Sequence, residues 1–138
     1  MSERIDAHVH LWNRALDPQD WIDPDSMAVI DRDFGTLELA TMLEATGMER
    51  AIVVQASNSL GESRRLARSD PRVVAGLVAW VDLSADVAAQ LDRVRDGATV
   101  QVVGVRHLRS GMLHHAWGIA ARAISETSAP GRAAPGRR

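Results

Sequence analysis

The chain has 138 residues, 46% of them hydrophobic and 25% charged, with a formal net charge of -2 and no cysteine. One domain is the expected count, since domains usually run to ~100–200 residues, and this ordinary mix excludes a disordered chain, a fibre and a disulfide scaffold. The near-neutral charge gives no electrostatic case for a nucleic-acid partner, no apolar run approaches the ~20 residues that cross a bilayer, and the first ten residues carry no apolar signal segment, so a cytoplasmic location without a membrane partner is the expectation.

All 16 basic residues are arginine, which leaves no lysine for a Schiff base. Their distribution is uneven. Residues 1–107 hold 11 arginines against 17 acids, whereas residues 108–138 hold 5 arginines and the single acid Glu126. All 14 valines precede residue 108. The chain closes on Ser-Ala-Pro-Gly-Arg-Ala-Ala-Pro-Gly-Arg-Arg, a composition that favours disorder. Two segments are therefore expected: 1–107, and a distinct tail at 108–138 that is partly helical and then disordered.

In chain order, residues 5–10 predict a strand. Residues 11–34 predict a long loop with six aspartates and the turn pairs Asp17-Pro18 and Asp23-Pro24. Leu39, Met42 and Leu43 fall at i, i+3 and i+4, the face of a helix, and Gly47 stands where a left-handed terminating residue is expected. Residues 50–56 predict a buried strand around Ala-Ile-Val-Val. Ser59-Leu-Gly-Glu62 fits a capping box that opens a second helix, which Asp70-Pro71 should end. Residues 73–82 predict a third strand. Ser84 is the expected cap of a third helix carrying Val87, Leu91 and Val94, with Gly97 closing it. Residues 99–107 predict a fourth strand. Within 112–126, Leu113, Trp117, Ala120 and Ala121 could share a helical face.

The order βαβαβαβ implies parallel strands joined by right-handed crossovers. Their near-continuous apolar runs suit strands covered on both faces. An open doubly wound sheet and part of a (β/α)8 barrel both satisfy this pattern. The first strand lacks a following Gly-x-Gly-x-x-Gly, which weakens a dinucleotide-binding reading.

Asp6, His8 and His10 alternate along the first strand and so share one face, with neighbours ~6.6 Å apart. Two imidazoles so placed can converge on one divalent ion, each giving a nitrogen at ~2.0–2.1 Å. They lie at the strand's C-terminal end, where parallel α/β folds place their sites. Solvent-facing histidines at a strand end are the alternative. Gln55, Trp80 and Asp82 fall at the ends of later strands and are candidates to line the same site. Trp80 could equally be packing, and Asp82 could simply begin a turn. Arg106 could pair with a substrate oxygen, and His107 could hydrogen-bond or ligate. Both enter one pocket only if the strand stops between them. The acidic loop, with Trp12, Trp21 and Phe34, could form a rim over His8 and His10 or a solvated connection pinned by two indoles. It lacks the glycine and glutamate placement of a calcium loop.

Ile5-Asp-Ala-His-Val-His-Leu-Trp12 resembles the opening of the amidohydrolase superfamily. It is more closely similar to the amidohydrolase-related group that includes sugar lactonases of the fuconolactonase type. Arg32-Asp-Phe34, Val53-Val-Gln-Ala56, Val78-Ala-Trp-Val-Asp-Leu83 and Gly104-Val-Arg-His107 extend the resemblance in order, over about residues 4–107. It implies the N-terminal half of a (β/α)8 barrel, about four strands, and a metal-dependent or metal-independent hydrolase acting on a small lactone. His8 and His10 match the family's first-strand metal ligands, and Asp6 would orient an imidazole. A zinc-like divalent ion would be held weakly, if at all, by two histidines. In such enzymes the ion, or a positively charged pocket, polarises the lactone carbonyl, and a carboxylate on the last strand takes a proton from water.

The departures are as informative. A complete barrel needs ~250 residues and eight strands. The family's later histidine and its final-strand aspartate have no counterpart, and His114-His115 matches neither. A truncated or frame-shifted product, inactive alone and prone to self-association through open barrel edges, is the first expectation. A small non-catalytic α/β domain that binds a metal or a partner is the second. An enzyme completed by a separate second-half chain is the third.

Overall fold

The computed structural model describes residues 2–108. The expected tail and the helix at 112–126 lie outside the described residues. Seven elements alternate: β1 (Ile5–Val9), α1 (Thr36–Thr46), β2 (Arg50–Val54), α2 (Leu60–Leu66), β3 (Val74–Ala79), α3 (Val87–Arg95) and β4 (Val102–Val105). The strands form one sheet in the order β1-β2-β3-β4, and every pair is parallel. All C-terminal strand ends therefore meet at one end of the sheet, which brings His10, Gln55, Trp80 and Arg106 to the same side.

Each helix is fixed by local chemistry and then by burial. In α1, Leu39 and Leu43 are buried, whereas Met42 is 56% exposed, so the buried stripe is narrower than the spacing predicts. Gly47 ends α1 at φ 69, and Met48 N–H closes back onto the Leu43 carbonyl at 2.9 Å. A left-handed residue with no Cβ is what this closure requires.

At α2, Ser59 Oγ accepts from the Glu62 N–H at 3.1 Å, which is half of the expected capping box. The Glu62 carboxylate does not return to Ser59. It accepts instead from the N–H groups of Ala56 and Ser57, at 3.0 and 2.9 Å. At α3 the cap is Asp86, which accepts from the Ala89 N–H at 2.9 Å, and not Ser84. The Ser84 N–H and hydroxyl both go to Asp82 Oδ1, at 2.9 and 2.6 Å, so a local turn claims the serine before the helix begins.

Two apolar clusters result. The larger lies between the sheet and the helices and includes Leu39, Leu43, Val53, Leu66, Leu77 and Val94. The smaller is built by the acidic loop: Trp12, Ile22 and Ala56 are buried, with Trp21, Met27, Ile30 and Phe34 packed around them. Trp12 and Phe34 exchange backbone hydrogen bonds at 3.1 and 3.0 Å, so the loop is closed by a one-pair ladder. The outer strand β4 leaves Val103 and Val105 exposed, at 53% and 43%. Val103 lies over Gly76, where a Cβ would come within 2.8 Å of its Cγ1. That close approach accounts for a glycine inside β3.

Among the described residues no helix is long and apolar enough to cross a membrane.

Candidate functional site

His8 and His10 converge. Their Nε2 atoms stand 3.1 Å apart, with the rings edge-on at a centroid separation of 4.8 Å. His10 Nδ1 lies 2.9 Å from the Val54 carbonyl oxygen. A carbonyl can only accept, so Nδ1 carries the proton and Nε2 is the acceptor nitrogen directed at His8. Asp6 Oδ1 accepts from the His8 backbone N–H at 3.0 Å. The group that orients an imidazole is thus the Val54 carbonyl, which has no signature in the sequence.

Two nitrogens that each sit ~2.0–2.1 Å from one ion readily span a 3.1 Å gap, so the pair fits two corners of a zinc-like site. Among the described residues no group of three or more His, Cys, Asp or Glu side chains is placed to complete it.

Burial holds the His10 imidazole below its ordinary value of 6.5, with smaller contributions from the charges of His8 and Arg106; the Val54 hydrogen bond acts in the other direction. An unfolded His10 would take up a proton near pH 6.5, while the folded one resists it. The stabilisation is therefore fully present above pH 6.5 and is lost as the pH falls toward the folded value. Urea titrations at pH 7.5 and 5.5 should show the wild type losing more stability on acidification than a His10→Gln variant. Equal losses would show that His10 is not held neutral by the fold.

The remaining candidates gather at the other strand ends. Gln55 is fully buried, and its Nε2 donates to the Arg106 carbonyl at 3.2 Å, so it braces the chain after β4 from beneath. Gln55 Oε1 and Arg106 Nη1 are both buried without a hydrogen-bond partner among the described residues. Burial also lowers the pKa of Arg106. β4 ends at Val105, but the Arg106 N–H still bonds the Ala79 carbonyl at 2.9 Å, and Arg106 is half-buried while His107 is exposed. Trp80 Nε1 donates to His107 Nδ1 at 3.1 Å. The Asp82 carboxyl is held below its ordinary range by the hydroxyl and N–H of Ser84, with a further pull from His107.

Two residues not among the candidate site residues hold this end together. Asn58 grips Leu108 by both backbone groups, donating to its carbonyl at 2.7 Å and accepting from its N–H at 3.0 Å. Glu62, at 0% exposure, is the other. The capping-box spacing marked Glu62 but pointed to the wrong acceptor role.

The chain is 38% identical to an L-fucono-1,5-lactonase of Burkholderia ambifaria over 94 residues, which is 66% of this chain and 32% of the relative. Its fold matches two crystal structures of an amidohydrolase from Burkholderia multivorans, one with bound HEPES and one with bound zinc. Each has a TM-score of 0.64, at 33% and 34% identity, over 77% of this chain and 37% of theirs. Over this stretch the chain is similar to amidohydrolases of the lactonase-like group. No family profile matches the chain. The chain spans about a third of the length of these relatives, and its four-strand sheet corresponds to half of an amidohydrolase barrel.

Proposed function

We propose that the described residues form the front half of a lactone-hydrolysing centre in which His8 and His10 hold a zinc-like divalent ion. The observation that carries this reading is the pairing of the two Nε2 atoms at 3.1 Å, with His10 locked by Val54 in the tautomer a ligand needs. When bound, such an ion would polarise a carbonyl or acidify a water. The chain's own contribution is orientation and charge. Val54 fixes the His10 ring, Arg106 supplies a cation for a substrate oxygen, and Trp80, Asp82 and His107 line the adjoining wall. Gln55 supports that wall through the Arg106 carbonyl. These 138 residues hold no aspartate after Asp96 to act as a late-strand general base, and we expect no lactone turnover from them alone. Among the described residues β4 is an outer strand with Val103 and Val105 exposed, which supports self-association through open barrel edges.

Cobalt(II) or zinc titration of the intact chain tests the metal reading. The wild type should bind one equivalent, and His8→Ala or His10→Ala should each weaken binding by about a hundredfold, since half of the ligand pair is removed. Undiminished binding in both variants would place the ion elsewhere. Binding without turnover, even when the missing half-barrel is supplied as a second chain, would favour a non-catalytic metal-binding domain.

A further inference from the structure

The indole N–H is a donor and nothing else. Trp80 Nε1 lies 3.1 Å from His107 Nδ1, so Nδ1 must accept and the neutral ring's proton must sit on Nε2. The two rings are 6.0 Å apart between centroids and tilted by 34°. The segment carrying His107 is tied down on both sides, by Gln55 at the Arg106 carbonyl and by Asn58 at Leu108. Ser63 Oγ in turn holds the Trp80 backbone, at 2.8 Å from its N and 3.1 Å from its O. His107 itself remains exposed.

His10 and His107, both at this end of the sheet, therefore present opposite chemistry. His10 carries its proton on Nδ1 and turns an acceptor nitrogen toward His8. His107 carries its proton on Nε2 and turns an N–H outward. An acceptor nitrogen suits a cation, whereas a neutral N–H suits an oxygen with lone pairs.

We propose that Trp80 is a positioning residue that holds His107 as a neutral Nε2–H donor, and that this donor receives a carbonyl or carboxylate oxygen of the bound ligand. The ligand half of this inference rests on the strand ends being the substrate site; the Trp80–His107 half does not. A hydrogen bond of this kind transfers no proton. It stabilises negative charge that gathers on a carbonyl oxygen during attack, and it serves equally for the carboxylate of a hydroxy-acid product.

The test uses the full chain, isotope-labelled, without metal, at pH 8. A nitrogen–nitrogen coupling across the hydrogen bond between Trp80 Nε1 and His107 Nδ1 should be seen directly, and Trp80→Phe, which keeps an aromatic ring, should let the His107 tautomers mix. Absence of the coupling, or a His107 signal unchanged in Trp80→Phe, overturns the positioning role. For the ligand, gluconate is the probe, as a hydroxy carboxylate. Its titration should move the His107 ring signals. His107→Leu should bind it about tenfold more weakly, as expected for loss of one hydrogen bond to a charged group, while His107→Gln, which restores an N–H, should recover most of the affinity. Equal binding by His107→Leu refutes the donor role. If gluconate fails to bind the wild type while the coupling is present, the substrate-site reading fails and the Trp80–His107 pairing stands.

Discussion

Glu62→Ala should destabilise the protein by about 3 kcal/mol or more, the range for stripping the partner from buried, charge-assisted hydrogen bonds. The carboxylate is fully buried. Its Oε2 takes the N–H groups of Ala56 and Ser57 at 3.0 and 2.9 Å, and its Oε1 takes Gln19 Nε2 at 3.0 Å. Burial raises its pKa and the nearby Asp17 adds to that, while all three donors act in the opposite direction. Alanine leaves those donors without an acceptor and opens a void among them. Glu62→Gln is the control. One amide oxygen can still serve the two backbone donors, but the amide nitrogen then faces Gln19 Nε2. Gln19 cannot turn over to compensate, because its Oε1 already accepts from Trp21 Nε1 at 2.9 Å. That variant should lose about 1–2 kcal/mol. Urea denaturation at pH 7 measures both. A Glu62→Ala midpoint within about 1 kcal/mol of the wild type would mean that water replaces the carboxylate and that the site is less closed than its burial indicates.

Glu62 also shows where sequence reasoning stops. Alternation of apolar runs and helical faces was enough for the element order, because each run is local and the strands are separated by whole helices. Ser59 was legible for the same reason, since a cap reaches only three residues along the chain. The error at Ser84 came from competition between two local motifs, in which an aspartate two residues earlier captured the serine. Met42 stays exposed: helix periodicity gives a stripe but not its width, and only packing against the sheet decides which of three neighbours is covered. Gln19 and Glu62 are 43 positions apart, and Trp80 and His107 are 27 apart. Such pairs depend on the sheet register, which the sequence does not display.

The same contrast holds at the site. His8 and His10 could be placed on one face from alternation alone. Their closeness could not, because strand spacing separates alternate residues by ~6.6 Å and it is the side chains that bring the nitrogens to 3.1 Å. Asp6 takes the His8 backbone N–H, whereas the His10 ring meets a main-chain oxygen on the neighbouring strand, and no residue type announces a main-chain oxygen. Arg106 and His107 could enter one pocket only if the strand stopped between them; β4 ends one residue earlier, at Val105, and the Arg106 N–H still reaches the Ala79 carbonyl at 2.9 Å.

The second large effect is expected at Trp12. Trp12→Ala removes an indole that is 5% exposed, and losses of about 3–5 kcal/mol are usual for such truncations. The indole N–H also donates to the Arg32 carbonyl at 2.7 Å, which would be left unpaired. Its ring meets Phe34 and Trp21 edge-on, with centroids 5.0 and 5.9 Å away. The ring contacts belong to the smaller cluster and the Arg32 carbonyl to the same loop, so the loss should be felt unevenly. Amide exchange within residues 13–33 should accelerate by about a hundredfold or more, whereas Val53 and Leu77, in the sheet, should lose much less protection. Equal acceleration at both places would show that the two clusters open as one unit. The loop has a functional handle because Ala56, two residues past Val54, is shared with its cluster. If the loop braces that turn, Trp12→Ala should also weaken cobalt binding several-fold while leaving the His8–His10 pair chemically intact. Unchanged binding alongside fast loop exchange would separate the cap from the metal pair and leave the sheet alone as the support of the site.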